Sequence, residues 1–199
     1  MNLENVNLEQ NYQSLPDDKP KISFLEAFYG VLFVPKRLFE ELYNEDTFTV
    51  AIYGFLAVFL SNLGKLGPGG TNIFNLIGVE IIGFFSWIFV AVLISFLGII
   101  FKTPNNSFPR LLGFTGLASI PFLLLAPINL LSILNPYIYT VCDFIVGFWS
   151  FILFWIALAK SFQLESWRVL LMAIIPFLLG VFLFTFLIAN ILGMLLTAR

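Results

Sequence analysis

Five long apolar stretches, separated by short polar joints, dominate this sequence of 199 residues. A helix needs about 20 mostly apolar residues to cross a hydrocarbon core of about 30 Å, and each stretch is long enough to do so. Hydrophobic residues make up 59% of the chain and charged residues only 11%, a balance typical of proteins that face lipid. The sequence therefore predicts an all-α, polytopic membrane bundle of five transmembrane helices.

The predicted spans follow the apolar stretches and together form one membrane domain, 47–199. Their limits are about 47–66, 73–101, 111–134, 138–159 and 169–196. Pro121 and Pro127 in the third span, and Pro176 in the fifth, are expected to kink their helices. Proline has this effect because it removes a backbone hydrogen bond and clashes with the preceding turn.

Two further regions precede the spans. Residues 1–21 are rich in Asn, Gln and acidic residues and lack the apolar core of a signal peptide, so they are predicted to be a disordered tail. Residues 22–46 form an amphipathic, cytoplasmic or interfacial segment, which Pro35 divides into two short helices. We expect this segment to lie on the membrane surface. The alternative is a cap that faces water and packs on the bundle.

Lysine and arginine residues define the expected orientation, because they are retained on the cytoplasmic face. With the N-terminus in the cytoplasm, five spans place eight of these residues inside: Lys19, Lys21, Lys36, Arg37, Lys102, Arg110, Lys160 and Arg168. Only Lys65 and Arg199 then lie outside. This asymmetry predicts a cytoplasmic N-terminus and a C-terminus outside.

The residue inventory excludes several chemistries. There is no histidine and only one cysteine, Cys142, so Cys/His metal sites, disulfide frameworks and catalytic triads that need histidine cannot be built. No basic block is available to follow a nucleic-acid backbone. We therefore predict no catalytic, cofactor or metal site, no nucleic-acid partner and no enzymatic activity.

Threading the spans alternately through the bilayer brings polar residues from every span to one depth near the outer surface. This polar layer contains Asn62, Lys65, Asn75, Glu80, Asn129, Asp143 and Asn190. A charge within a span costs about 2.5–3.5 kcal/mol on insertion scales, so Glu80 and Asp143 are expected to face the bundle interior. Gly83 and Gly147, each about one turn further on, would allow close helix approach.

Three interpretations of this layer are open. The groups could only hold the helices together through hydrogen bonds, or they could form a pocket for a lipid headgroup or a partner. In the third, Glu80 and Asp143 serve a small proton- or cation-coupled transporter. The sequence shows no clear inverted repeat of the kind that such transporters use.

Several segments resemble the Yip (Ypt-interacting protein) domain family of five-span membrane proteins. Pro35 and Phe39, in VPKRLFEELY before the first span, resemble the Pro-x-x-x-Phe pattern of the prokaryotic branch. Glu41-Leu42-Tyr43 stands where the eukaryotic branch has Asp-Leu-Tyr-Gly-Pro, although the Gly-Pro half is missing. A third similarity lies in residues 110–122, RLLGFTGLASIPF, where Gly113-Phe114 replaces the family's Gly-Tyr and Pro121 is kept. Residues 149–176 resemble the family's fourth span, basic joint and fifth span.

The resemblance implies partner binding at a membrane. Eukaryotic relatives bind Rab-type small GTPases through cytoplasmic segments, but the missing Gly-Pro and the phenylalanine at position 114 argue against carrying that activity over. We expect a membrane scaffold or adaptor of membrane organisation or trafficking, in a prokaryotic plasma membrane. Its partners would be the lipid bilayer and another membrane protein or a cytoplasmic protein, and homo-oligomerisation is left open. The candidate partner-binding residues are Pro35, Phe39, Glu41, Leu42 and Tyr43.

Overall fold

The regular structure of the described residues is entirely helical. The structure, a computed structural model, describes residues 22–66, 73–131, 136–165, 167–172, 174–175, 178–182 and 185–186. The predicted tail, 1–21, and Asn190 lie outside these ranges, as does the predicted kink at Pro176.

Two short helices come before the spans, α1 (Phe24–Phe33) and α2 (Pro35–Tyr43). Ser23 caps α1, because its hydroxyl accepts the Glu26 N–H while the Glu26 carboxylate accepts the Ser23 N–H. Pro35 occupies the first position of α2, where its missing N–H costs nothing. Pro35 thus divides the segment as predicted, by starting a helix.

Four helices among the described residues are long and apolar enough to cross a membrane. They are α3 (Thr47–Gly64), α4 (Ile73–Ile100), the composite helix Phe108–Leu130, and α7 (Pro136–Phe162). Within the fifth predicted span, the described residues are helical, but they are too few to establish its full length. Five spans therefore remain a prediction.

The third span is broken at one of its two prolines. It consists of α5 (Phe108–Leu117), a 3-10 helix (Ile120–Leu124) that contains Pro121, and α6 (Leu125–Leu131). The helix that is predicted to kink at Pro121 is thus interrupted there by a 3-10 turn. Pro127 lies in the first turn of α6, where a missing N–H is tolerated, so the second interruption occurs at Leu125 rather than at Pro127.

Glycines bring α3 and α5 into backbone contact as parallel neighbours. A Cβ atom added to Gly113 would lie 2.4 Å from the Val50 carbonyl oxygen, and one added to Gly116 would lie 2.5 Å from that of Gly54. Further along, a Cβ on Gly64 would meet the Phe122 carbonyl oxygen at 2.5 Å. No larger residue fits at these points, as expected where membrane helices approach closely.

The helices α4 and α7 run antiparallel to this pair. Trp87 of α4 donates its indole N–H to the Thr115 hydroxyl (3.1 Å), and Ser150 of α7 donates to the Ala118 carbonyl oxygen (2.6 Å). One end of the bundle, where α3 and α5 begin and α4 and α7 end, carries most of the described basic residues: Lys36, Arg37, Lys102, Arg110, Lys160 and Arg168. We call it the basic end, and Lys65 lies at the opposite end.

The helix α2 packs its apolar side on the bundle. Leu38, Phe39 and Leu42 are buried in one core with residues of α3, α5 and α7. This packing is one part of the alternative interpretation, and the exposure of α2 to water stays a prediction. The helix α1 is different, because Ala27 and Val31 join the core while Leu25 and Phe33 are exposed. Its exposed apolar side suits contact with lipid.

Candidate functional site

A network of polar side chains joins three chain segments at the basic end. The Asn105 amide donates to the Tyr43 hydroxyl (2.7 Å) and to Gln163 Oε1 (3.3 Å). The Arg110 guanidinium lies 4.3 Å from the centroid of the Tyr43 ring, a distance typical of a cation–π contact. Tyr43 at the end of α2 is thereby fixed to the joints that follow α4 and α7.

Two ion pairs lie on the charged side of α2. The Lys160 ammonium of α7 pairs with the Glu40 carboxylate and so connects α2 to α7. Arg37 Nε donates to Glu41 Oε1 (2.7 Å) one turn away, and this hydrogen bond raises the pKa of Arg37 above its ordinary value. Both side chains are exposed, so solvent and salt screen this pair and it adds little to stability.

The candidate partner-binding residues divide into two groups. Phe39 and Leu42 are fully buried and therefore contribute packing. Pro35 and Tyr43 are half-buried, and Glu41 is exposed. These three residues can be reached from solution.

In the outer polar layer, the structure directly connects Asn62 and Glu80. The buried Asn62 amide donates to Glu80 Oε2 (3.3 Å), while Oε1 is buried without a hydrogen-bond partner among the described residues. A Cβ on Gly83 would lie 2.1 Å from Asn62 Nδ2. Gly83 therefore leaves room for this amide between α3 and α4.

Two further candidates of the polar layer, Lys65 and Asn129, lie at the C-terminal end of α3. The Lys65 ammonium lies 4.5 Å from the centroid of the Phe122 ring, a distance typical of a cation–π contact. Asn129 is buried and donates to the Leu66 carbonyl oxygen (3.3 Å). The same amide also donates to the carbonyl oxygen of Gly64 (3.4 Å), the last residue of α3, which has no intrahelical partner.

Two other described candidates form no hydrogen bond with Asn62 or Glu80. Asn75 is exposed on α4. Asp143 is exposed as well and lines a shallow groove with Phe148, Phe151 and Ile174, so its carboxylate does not face the bundle interior as expected. Gly147 lines the same groove, and a Cβ added there meets no described atom within 4 Å. Among the described residues, the close helix approach predicted at Gly147 is therefore not seen.

Sequence reasoning missed the role of the polar joints at the basic end. The sequence predicts for Arg110 a role in orientation and a place at the start of the segment 110–122, and it predicts no role for Asn105 or Gln163. One signal was available, because a joint as short as KTPNNS places two asparagines beside the ends of two spans. Nothing in the sequence, however, indicates which distant joint they would meet.

The helices, the apolar outer surface and the polar joints together define a multi-pass integral membrane protein. The described residues contain no group of three or more histidine, cysteine or acidic residues that could hold a metal ion. The chain matches the family model of the Yip1 domain over residues 29–187. It therefore belongs to the Yip1 domain family, whose members are membrane proteins not known as enzymes. Searches of the curated proteins and of the solved structures found no significant match.

Proposed function

We propose that this protein is a non-enzymatic membrane scaffold that displays the charged side of α2 to a cytoplasmic protein partner. One observation carries the proposal: α2 lies outside the four membrane-crossing helices, yet its apolar side is fully buried against them. Its charged side is therefore held in a fixed position, because the helix cannot rotate without exposing Phe39 and Leu42. A fixed surface binds a partner with less loss of conformational entropy than a mobile segment.

The contacts at the end of α2 support the same role. The Asn105 and Arg110 side chains fix Tyr43, and Lys160 fixes Glu40. The residues that stay available on this surface are Lys36, Arg37 and Glu41, which are all exposed. Their mixed charges suit a polar protein surface, since charge complementarity favours one partner and orientation over others.

A charge swap tests this proposal without removing an ion pair. The Arg37→Glu/Glu41→Arg variant keeps the net charge and the spacing of the pair but reverses its pattern. We expect affinity-purified variant protein to lose the cytoplasmic partner that co-purifies with the wild type, while Lys102→Gln, at the same end, retains it. Equal recovery from the wild type and the swap variant would refute docking through α2.

The proposed orientation places the basic end in the cytoplasm of a prokaryotic cell, with the C-terminus outside. It is supported by the collection of basic residues at that end. In a Cys142→Ser background, an impermeant maleimide applied to intact cells should label Tyr137→Cys and spare Lys36→Cys. The reverse labelling pattern would mean that the orientation is the opposite one, in which α2 could not reach a cytoplasmic partner.

Proton- or cation-coupled transport through Glu80 and Asp143 is a second candidate function. It is favoured by the buried Glu80 oxygen that has no hydrogen-bond partner in the described part of the chain. Flux into proteoliposomes should then fall in Glu80→Gln and in Asp143→Asn. Flux that both variants leave unchanged would eliminate this mechanism.

A further inference from the structure

A groove of about 780 Å³ lies between α2 and α7 at the basic end. Its polar part is lined by Lys36, Tyr43, Lys160 and Gln163, together with Glu40. Its apolar part follows α7. The groove is thus polar at one end and apolar along its length.

The apolar part lies on one face of α7. Ile152, Trp155, Ile156 and Ala159 line it and follow the spacing of a single helical face, which Lys160 continues at the polar end. From Lys160 back to Ile152 the helix rises about 12 Å at about 1.5 Å per residue. One leaflet contributes about half of a hydrocarbon core of about 30 Å, so the groove extends from the headgroup level well into the acyl region.

The charges around the polar end favour an anion. Lys36 makes no ion pair or hydrogen bond within the described residues and is exposed, whereas Lys160 is paired with Glu40. The sum of Lys36, Lys160 and Glu40 is one positive charge. Gln163 accepts from Asn105 through its Oε1 atom, which leaves its amide N–H groups as further donors to an anionic oxygen.

We propose that this groove binds one anionic phospholipid from the leaflet at the basic end. The phosphate contacts Lys36 and Lys160, and one acyl chain lies along Ile152, Trp155 and Ile156. The amphipathic length of the groove and its net charge point to this occupant, since a free phosphate would leave the apolar part empty. This site is separate from the exposed charged side of α2 that the proposed protein partner uses, except at Lys36.

Lipid retention by the full-length protein tests the proposal. Purified, delipidated protein is placed in nanodiscs that contain phosphatidylglycerol or phosphatidylcholine, and native mass spectrometry measures the lipid that stays bound after release. We expect phosphatidylglycerol to be retained preferentially. Lys36→Gln should weaken its retention about fivefold, the effect of one lysine near an anionic surface, and Ala159→Phe should fill the groove and abolish it.

Arg37→Gln is the matched control, because it removes one positive charge from the next residue of α2, which does not line the groove. It should retain phosphatidylglycerol like the wild type, and unchanged thermal unfolding should verify the folding of all three variants. If Lys36→Gln and Arg37→Gln lost phosphatidylglycerol equally, the effect would come from the overall positive charge of this surface rather than from the groove, and the proposal would be overturned. If inorganic phosphate competed fully with the bound phosphatidylglycerol, the groove would be a site for a free anion. If a bound protein displaced the lipid, the groove would be a site for that protein partner.

Discussion

The Phe39 ring of α2 packs on the Phe114 ring of α5, with 5.0 Å between the ring centroids and both side chains fully buried. These are the phenylalanines of the two segments that resemble Yip-family motifs. Their contact gives both motifs a structural role, which is to attach the segment before the spans to the third span. Phe39→Ala should therefore reduce the free energy of unfolding by about 3–5 kcal/mol, the cost of truncating a buried aromatic residue. Thermal unfolding in a mild detergent measures this loss.

A double-mutant cycle separates the ring contact from simple burial. Phe39→Leu and Phe114→Leu should each cost less than Phe39→Ala, and their coupling should be about 0.5–1.5 kcal/mol, as for other aromatic pairs. If Phe39→Ala abolished partner recovery without lowering stability, Phe39 would be a direct contact residue and its assignment to packing would be wrong.

The close approach of α3 and α5 predicts a strong effect of one added methyl group. In Gly113→Ala the new Cβ would lie 2.4 Å from the Val50 carbonyl oxygen, and a backbone atom cannot move aside unless the helices separate. We expect a loss of about 1–3 kcal/mol, the range for overpacking, seen as a lower unfolding temperature in detergent.

Gly147→Ala is the matched control for this prediction. It introduces the same methyl group into a transmembrane helix where no described atom lies within 4 Å of it. Because alanine has a higher helix propensity than glycine by about 1 kcal/mol, this variant should be neutral or slightly more stable. Equal destabilisation of both variants would contradict the backbone contact at Gly113.

The limits of the first two long helices could be predicted from the sequence, because apolar stretches of that length define them. The first two predicted spans end within two residues of α3 and α4. The direction that each polar side chain faces could not be predicted, since α4 is apolar on all sides and no polar stripe distinguishes its inner face. A prediction from depth along the span therefore assigns Asn75 and Glu80 to the same layer, although only Glu80 contacts Asn62.

The polar network at the basic end shows a second limit. Tyr43 ends α2, whereas Asn105 and Gln163 belong to the joints after α4 and α7, so the three residues lie far apart in the chain. Each joint is short and polar in the sequence, which identifies it as a connection between helices. Their meeting depends on how the spans are arranged around α5, and a single sequence contains no direct signal for that arrangement.

The contact between Asn62 and Glu80 predicts different outcomes for two substitutions. Glu80→Gln keeps an oxygen that can accept from the Asn62 amide, so stability should change little. Glu80→Ala removes the acceptor and leaves a buried amide unsatisfied, at a cost of about 1–3 kcal/mol. Unfolding temperatures of the two variants in the same detergent measure the difference, and equal losses would mean that the carboxylate charge, rather than the hydrogen bond, stabilises this layer.

The capping box of α1 predicts an acid-sensitive stability. The Ser23 backbone N–H (2.7 Å) and hydroxyl (2.9 Å) both donate to Glu26 Oε2, which holds the pKa of Glu26 below its ordinary value. A carboxyl whose pKa is lower in the folded state stabilises it above the unfolded pKa of about 4.3, and this contribution is lost as the pH falls through the folded value. Wild type should therefore exceed Glu26→Gln in unfolding temperature at pH 7, and the difference should shrink progressively below about pH 4.3. A difference that stayed constant with pH would show that protonation of Glu26 is not linked to folding of α1.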